Sequence, residues 1–226
     1  MKAQFIVLFL LSGFSLFAQS VETRSVPNFN QLNAGGSWDV ILKKGDQNEV
    51  RLEAKDLNLE KVITEVKGGI LNIQLEKGNY RNVDLEVTVT YQELEAVHSS
   101  GSGNLKSMDP LVADELKLSL SGSGNASFNR VTADKLDLTM TGSGDLIIRE
   151  GSVGEATLKQ SGSGNLKAVD LEAEDVQVQK SGSGNATLTV GRTLSVRSSG
   201  SGNVEYKGNP SLNDIKISGS GRVLKR

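Results

Sequence analysis

The sequence predicts an all-β chain wound as a parallel β-helix of about seven coils of about twenty residues, closed at its N-terminal end by a strand-rich cap. Three observations carry that reading. A Ser-Gly-Ser-Gly-Asn motif recurs at a near-constant interval, apolar and polar residues alternate strictly between its copies, and no stretch shows a helix-forming pattern.

In chain order, the first element is an export signal. Met1-Lys2 supplies a positive start, Phe5 to Leu11 is an unbroken apolar run, and Phe14 to Phe17 leads to the small residue Ala18. This pattern reads as a secretory signal peptide over residues 1–18. Ser12-Gly13 interrupts the apolar stretch, which is short for a membrane span. The expected mature chain is exported to the periplasm, the cell surface or the medium, with no membrane-spanning segment of its own. No cysteine follows the signal to carry a lipid anchor.

Residues 19–226 read as a single domain, because no Pro/Ser-rich linker divides them. Within it, residues 25–97 lack the motif but remain strand-rich: Trp38–Leu42, Val50–Ala54, Val62–Val66, Ile70–Leu75 and Val83–Tyr91 are the candidate strands. Gly68-Gly69 between two of them supplies the left-handed residues of a tight hairpin. A β-helix has open ends that recruit other strands, so an irregular β segment over 25–97 is expected as a cap.

Residues 98–226 carry the repeats. The motif begins at Ser100, Ser121, Thr141, Ser161, Ser181, Ser199 and Ser218, and its seven copies hold 14 of the 25 glycines. Leu116, Leu118 and Leu120 alternate with Lys117 and Ser119, the period of a half-buried strand. That phase runs on through Gly122, Gly124, Ala126 and Phe128, leaving Ser121, Ser123 and Asn125 on the other face. Twenty extended residues trace roughly 65 Å, the circumference of one coil, and successive coils stack about 4.8 Å apart. Glycine is expected where an inward side chain beside a corner would strike the facing sheet, and where a tight bend needs positive φ. Asn at the fifth position tolerates bends and can hydrogen-bond along the stack. The alternative is an up-and-down antiparallel barrel turning at each SGSG, which the alternation running straight through the motif argues against.

Composition removes many chemistries. Without cysteine there is no disulfide, thiolate metal site or cysteine nucleophile, and one histidine rules out a histidine-rich metal centre. The net charge of −2 gives no reason to expect a nucleic acid as partner. SGSGN is followed by no Lys-Ser/Thr and does not contain Gly-x-Ser-x-Gly, so it is neither a phosphate loop nor a nucleophile elbow. The densest acidic group, Glu172-Ala-Glu174-Asp175, spreads over differing faces. His98 has no neighbouring nucleophile and orienting group, and reads as a strand-edge residue. Trp38 reads as a core or cap plug. No catalytic, cofactor-binding or metal residues are assigned.

The chain resembles the putative auto-transporter adhesin, head GIN domain family of exported bacterial proteins. The residues that carry the resemblance are Phe29-Asn-Gln-Leu32, the stretch around Trp38, Gly69-Ile-Leu-Asn-Ile73, the SGSG units, and Val204-Glu-Tyr-Lys-Gly-Asn-Pro210 with Ser218-Gly-Ser-Gly221. The resemblance implies a right-handed β-helix and a role in cell adhesion, with no catalytic residues to transfer. The expected function is therefore non-catalytic binding of an extracellular or envelope polysaccharide or protein through a repeated face. The residues named for that face are Ser123, Ser143, Ser163 and Ser183, with Asn125, Asp145, Asn165 and Asn185 beside them. A homo-oligomer is compatible with the sequence. The alternative is a polysaccharide lyase-like enzyme with an atypical site.

Overall fold

The computed structural model describes residues 20–226; the expected signal peptide lies outside them. Strands make up 71% of the chain, wound as a β-solenoid of about six turns. The alternative antiparallel barrel is excluded, because the strands joined at the SGSG corners stack in parallel from coil to coil.

The N-terminal strands are β1 (Ser20–Ser25), β2 (Gln31–Gly36), β3 (Asp39–Lys44), β4 (Glu49–Lys55), β5 (Val62–Lys67), β6 (Ile70–Leu75) and β7 (Asp84–Tyr91). The first repeat coil follows as β8 (Ala96–Gly101) and β9 (Leu105–Ser107). Long bent strands then carry the regular coils: β10 (Leu111–Gly122), β11 (Ala126–Gly142), β12 (Leu146–Gly162), β13 (Leu166–Gly182) and β14 (Ala186–Gly200). β15 (Val204–Lys207), β16 (Ser211–Ser218) and β17 (Val223–Lys225) end the stack.

The spacing of buried residues shows how a coil closes. In β11 the buried set is Ala126 and Phe128, then Val131 and Ala133, then Leu136, Leu138 and Met140. Steps of two lie within a wall and steps of three cross a bend, where two consecutive residues face outward. Each coil therefore has three walls, with SGSGN forming the third corner after the longest one. Stacked in register, these sets make one continuous aliphatic core from Phe29 to Tyr206. Irregular coil lengths are absorbed at bends. The coil from Ser100 to Ser121 is one residue longer across Met108–Pro110, and β13 and β14 shift register between Ala168 and Glu172.

The segment 25–97, expected to be a cap, divides in two. β2 and β3 already form a coil, pairing in parallel with β8 and β9. β6 and β7 form another on its far side, pairing in parallel with β2 and β3. The chain thus winds one coil, then the coil beneath it, then crosses back over the first to begin the repeats. Only β1, β4 and β5 run antiparallel and cover the N-terminal end. Arg24 ties this cover together, donating to the Leu59 carbonyl at 2.8 Å and to Thr64 Oγ1 at 3.1 Å.

The crossing coil contains an eighth, disguised copy of the motif. Gly35 and Gly36 register with Ser100 and Gly101, so Gly35-Gly-Ser-Trp-Asp39 occupies the SGSGN corner. Trp38 fills the fourth position, where the later copies have glycine, and is 6% exposed.

Candidate functional site

The SGSGN corner is the most repeated feature of the surface; of the two reasons the sequence suggested for its glycines, positive φ at a bend holds and a clash with the facing sheet does not. The second-position glycines adopt φ between +106° and +124° from Gly122 to Gly200. Their carbonyls accept hydrogen bonds from the next coil: Ser143 N–H reaches Gly122 O at 2.9 Å, and Ser163 N–H reaches Gly142 O at 2.9 Å. A Cβ on any of these glycines would lie within 3.0 Å of the carbonyl beneath, and the same holds at Gly124, Gly144, Gly164 and Gly184. The obstacle is thus the neighbouring coil's backbone, not the facing sheet. The second-position glycines are also not inward: Gly122 and Gly142 are exposed, whereas Gly124 and Gly144 are buried.

The fifth position forms a hydrogen-bonded ladder along the axis. Asp39 Oδ1 accepts from Asn104 N–H at 2.9 Å, Asn125 Oδ1 from Asp145 N–H at 2.9 Å, and Asp145 Oδ1 from Asn165 N–H at 2.8 Å. The series continues through Asn165, Asn185 and Asn203 to the Arg222 amide. Asn125, Asp145, Asn165 and Asn185 therefore spend an acceptor oxygen on holding coils together. Ser123, Ser143, Ser163 and Ser183 stand exposed beside them.

Asp145 is the one acid among those repeat rungs. Burial pushes its carboxyl up, but the backbone and side-chain amides of Asn165 and the Lys167 ammonium outweigh this and hold it below the usual range. A carboxyl lowered in the folded state contributes stability that is complete above its unfolded pKa and is lost as pH falls through its folded one. The melting temperature of Asp145→Asn relative to wild type should therefore stay constant above about pH 4 and shift in the variant's favour below it. Thermal melts of both proteins across acid pH test this. A difference that does not change with pH would show that Asp145 titrates normally.

A second feature lies on the long wall just before the corner. A trough enclosing ≈ 570 Å³ runs across the last five coils. Two outward ladders line it. One reads Thr139, Lys159, Gln179, Arg197 and Lys216, and the other Thr141, Ser161, Ser181, Ser199 and Ser218. Arg197 and Lys216 share Asp214, at 2.7 and 3.1 Å. Hydrogen bonds from Lys216 and Arg197 hold the Asp214 carboxyl below its ordinary range. With Lys159 the outward ladder of the trough carries three cations, two of them sharing Asp214, on a chain whose net charge is −2. Beneath it, the inward column of the same wall turns polar: Leu120 and Met140 are followed by Gln160, Lys180 and Ser198. Gln160 Nε2 donates to Gly164 O at 2.5 Å, but Lys180 Nζ and Ser198 Oγ are buried without hydrogen-bond partners. Burial pushes the Lys180 ammonium pKa down.

The other sequence candidates fall into place in the sheet. His98 is not at an edge: it is an outward rung between Asn33 and Ser119 on a strand paired on both sides. Asp175 is tied to Arg192 and accepts from Thr193 Oγ1 at 2.5 Å, and Glu174 lies 3.5 Å from Arg192. Hydrogen bonds from Arg192 and Thr193 hold Asp175 below the usual carboxylate range. Among the described residues, no three His, Asp or Glu side chains converge in a way that could hold a metal ion. No described helix is long and apolar enough to cross a membrane.

The match that decides the family spans residues 28–210, covering the crossing coils and nearly all the repeats. The chain belongs to the putative auto-transporter adhesin, head GIN domain family. A solved putative adhesin from Bacteroides fragilis shares the fold with a TM-score of 0.88 at 24% identity, over 92% of this chain and 97% of that one. A putative adhesin from Parabacteroides merdae gives a TM-score of 0.74 at 21% identity, over 92% and 96%. A putative lipid binding protein from Parabacteroides distasonis gives 0.71 at 21%, also over 92% and 96%. No curated protein matches. For this head GIN chain, those neighbours establish the solenoid and leave its ligand to be argued from its own surface.

Proposed function

We propose that this head GIN protein is exported and binds an acidic extracellular or envelope polysaccharide, without turning it over, along the trough of its long wall. The observation that supports this is the pairing of a cation-bearing ladder with a hydroxyl ladder at coil spacing. Lys159 and Arg197 stand two coils apart, about 9.6 Å, which suits acid groups recurring along an extended chain. The hydroxyls of Ser161, Ser181 and Ser199 suit the sugar oxygens between them. Ser123, Ser143, Ser163 and Ser183 form the adjoining rim, while the Asn and Asp rungs hold the corner in shape. Many weak equivalent contacts then add through avidity.

The test compares binding of the chain from residue 19 onward to a polyuronate and to neutral dextran by calorimetry. Binding should be confined to the polyuronate, weaken as salt rises, and fall about tenfold or more in Lys159→Glu/Lys216→Glu. Equal binding to dextran, or an unchanged affinity in that variant, would remove the trough as the site. Should Ser143→Lys/Ser163→Lys abolish binding while the trough variant keeps it, the site is the corner. Chain cleavage of the polymer by purified wild type would replace this reading with the enzymatic one.

A further inference from the structure

The two ends of the solenoid are finished differently. At the N-terminal end, antiparallel β1, β4 and β5 cover the last coil, and Arg24 fastens them. At the other end, among the described residues, β16 pairs only with β14, and β17 only with β15. Their outer edges present unpaired backbone N–H and C=O groups, the template on which strands from other chains assemble. The last coil also leaves apolar side chains uncovered: Leu212 is 50% exposed, Ile215 36%, Ile217 41% and Leu224 39%. These are four of the seven exposed large apolar residues described. One coil back, Leu194 and Val196, the register partners of Leu212 and Ile215, are fully buried at 0%. Among the described residues, nothing packs over this cross-section of the core.

We infer that this end docks against the same end of a second copy of the chain, β16 pairing antiparallel with β16. The charge pattern of the strand selects that partner. Asp214 and Lys216 flank Ile215, so a twofold axis through Ile215 sets each Asp214 opposite the partner copy's Lys216, and each Lys216 opposite its Asp214. Opposite charges directly across an antiparallel pair are favourable, and like charges are not. Moving the register by two residues, the smallest slip that keeps the apolar face inward, would oppose Lys216 to itself. The contact is isologous and closes at two copies rather than propagating. It also joins the troughs, because Lys216 and Ser218 line the last rung of each.

Three measurements test this on the chain from residue 19 onward. Sedimentation equilibrium of wild type should give twice the chain mass, and Ile215→Lys, which opposes two ammonium groups on the axis, should give the chain mass with an unchanged circular dichroism spectrum. The chain has no cysteine, so Ile215→Cys should crosslink into a covalent dimer on mild oxidation, since residues opposed across an antiparallel pair approach to disulfide distance. Asn209→Cys should not crosslink. Asp214→Lys and Lys216→Asp should each weaken the dimer, and the double exchange, which restores complementarity and keeps a carboxylate near Arg197, should recover it. A monomeric wild type, open-ended fibres, or a dimer indifferent to Ile215→Lys would each overturn the inference. None of these readouts involves polysaccharide, so the dimer stands or falls independently of the proposed ligand.

Discussion

Replacing Gly164 by valine is expected to lower stability by about 3 kcal/mol or more, the upper end of the overpacking range, or about 6–12 °C in melting temperature for a chain of this size. The reason lies in what the new side chain meets. A Cβ at Gly164 would lie within 3.0 Å of Gly144 O, a backbone atom fixed by its own coil, so no side-chain rotation relieves the clash. Gly162→Val should be at least as harmful, because its φ of +109° adds the strain of a conformation that L-residues rarely adopt. Two controls separate this from a general intolerance of the region. Ser163→Ala on the exposed face should stay within about 0.5 kcal/mol. Gly191→Ala should be neutral or slightly stabilising, since nothing lies closer than 3.8 Å to its added Cβ. Thermal melts of the four variants decide the matter, and equal small shifts in all of them would refute the stacked-carbonyl account of the corner.

Lys180→Met should move stability the other way, by about 1–3 kcal/mol, the cost of burying a polar group without a partner. The substitution fits the site, because Met140 and Leu120 occupy the same inward column two and three coils earlier. The pH dependence identifies the cause. With its pKa below the ordinary 10.5, Lys180 binds fewer protons folded than unfolded. Wild-type stability should therefore rise as pH increases through the interval between the folded value and 10.5. The methionine variant should lack that rise. Denaturant melts from neutral to alkaline pH measure both, and a destabilised Lys180→Met would mean that the ammonium has a compensating partner.

The regular coils were legible because their information is local. The interval between motif copies, the alternation through Leu116, Leu118 and Leu120, and the Gly-Gly hairpin at Gly68-Gly69 each report a short-range constraint. What could not be read depended on pairing across distance. That β2 lies between β6 and β8 follows from which strands meet, and nothing in Gln31–Gly36 states it. The eighth corner escaped notice because Trp38 stands where later copies have glycine, and because Asp39 bonds to Asn104, 65 residues away. The polar column was available as a signal: the inward phase Val176, Val178 runs directly into Lys180, but a lysine there looks like the end of a buried stretch. The trough depended on register too, since Lys159, Gln179, Arg197 and Lys216 become neighbours only when the coils are stacked.

The crossing at the N-terminal end and the uncovered last coil mark the two ends of the described stack, and the interior between them is bound by no such constraint. Any coil from β11 to β13 offers its neighbour the same corner carbonyl and the same fifth-position oxygen that it receives. Duplicating or deleting one twenty-residue unit therefore keeps the pattern of corner bonds, and changes the length of the stack by about 4.8 Å. Axial length is then a quantity the gene can adjust in whole steps without redesigning either end of the described stack.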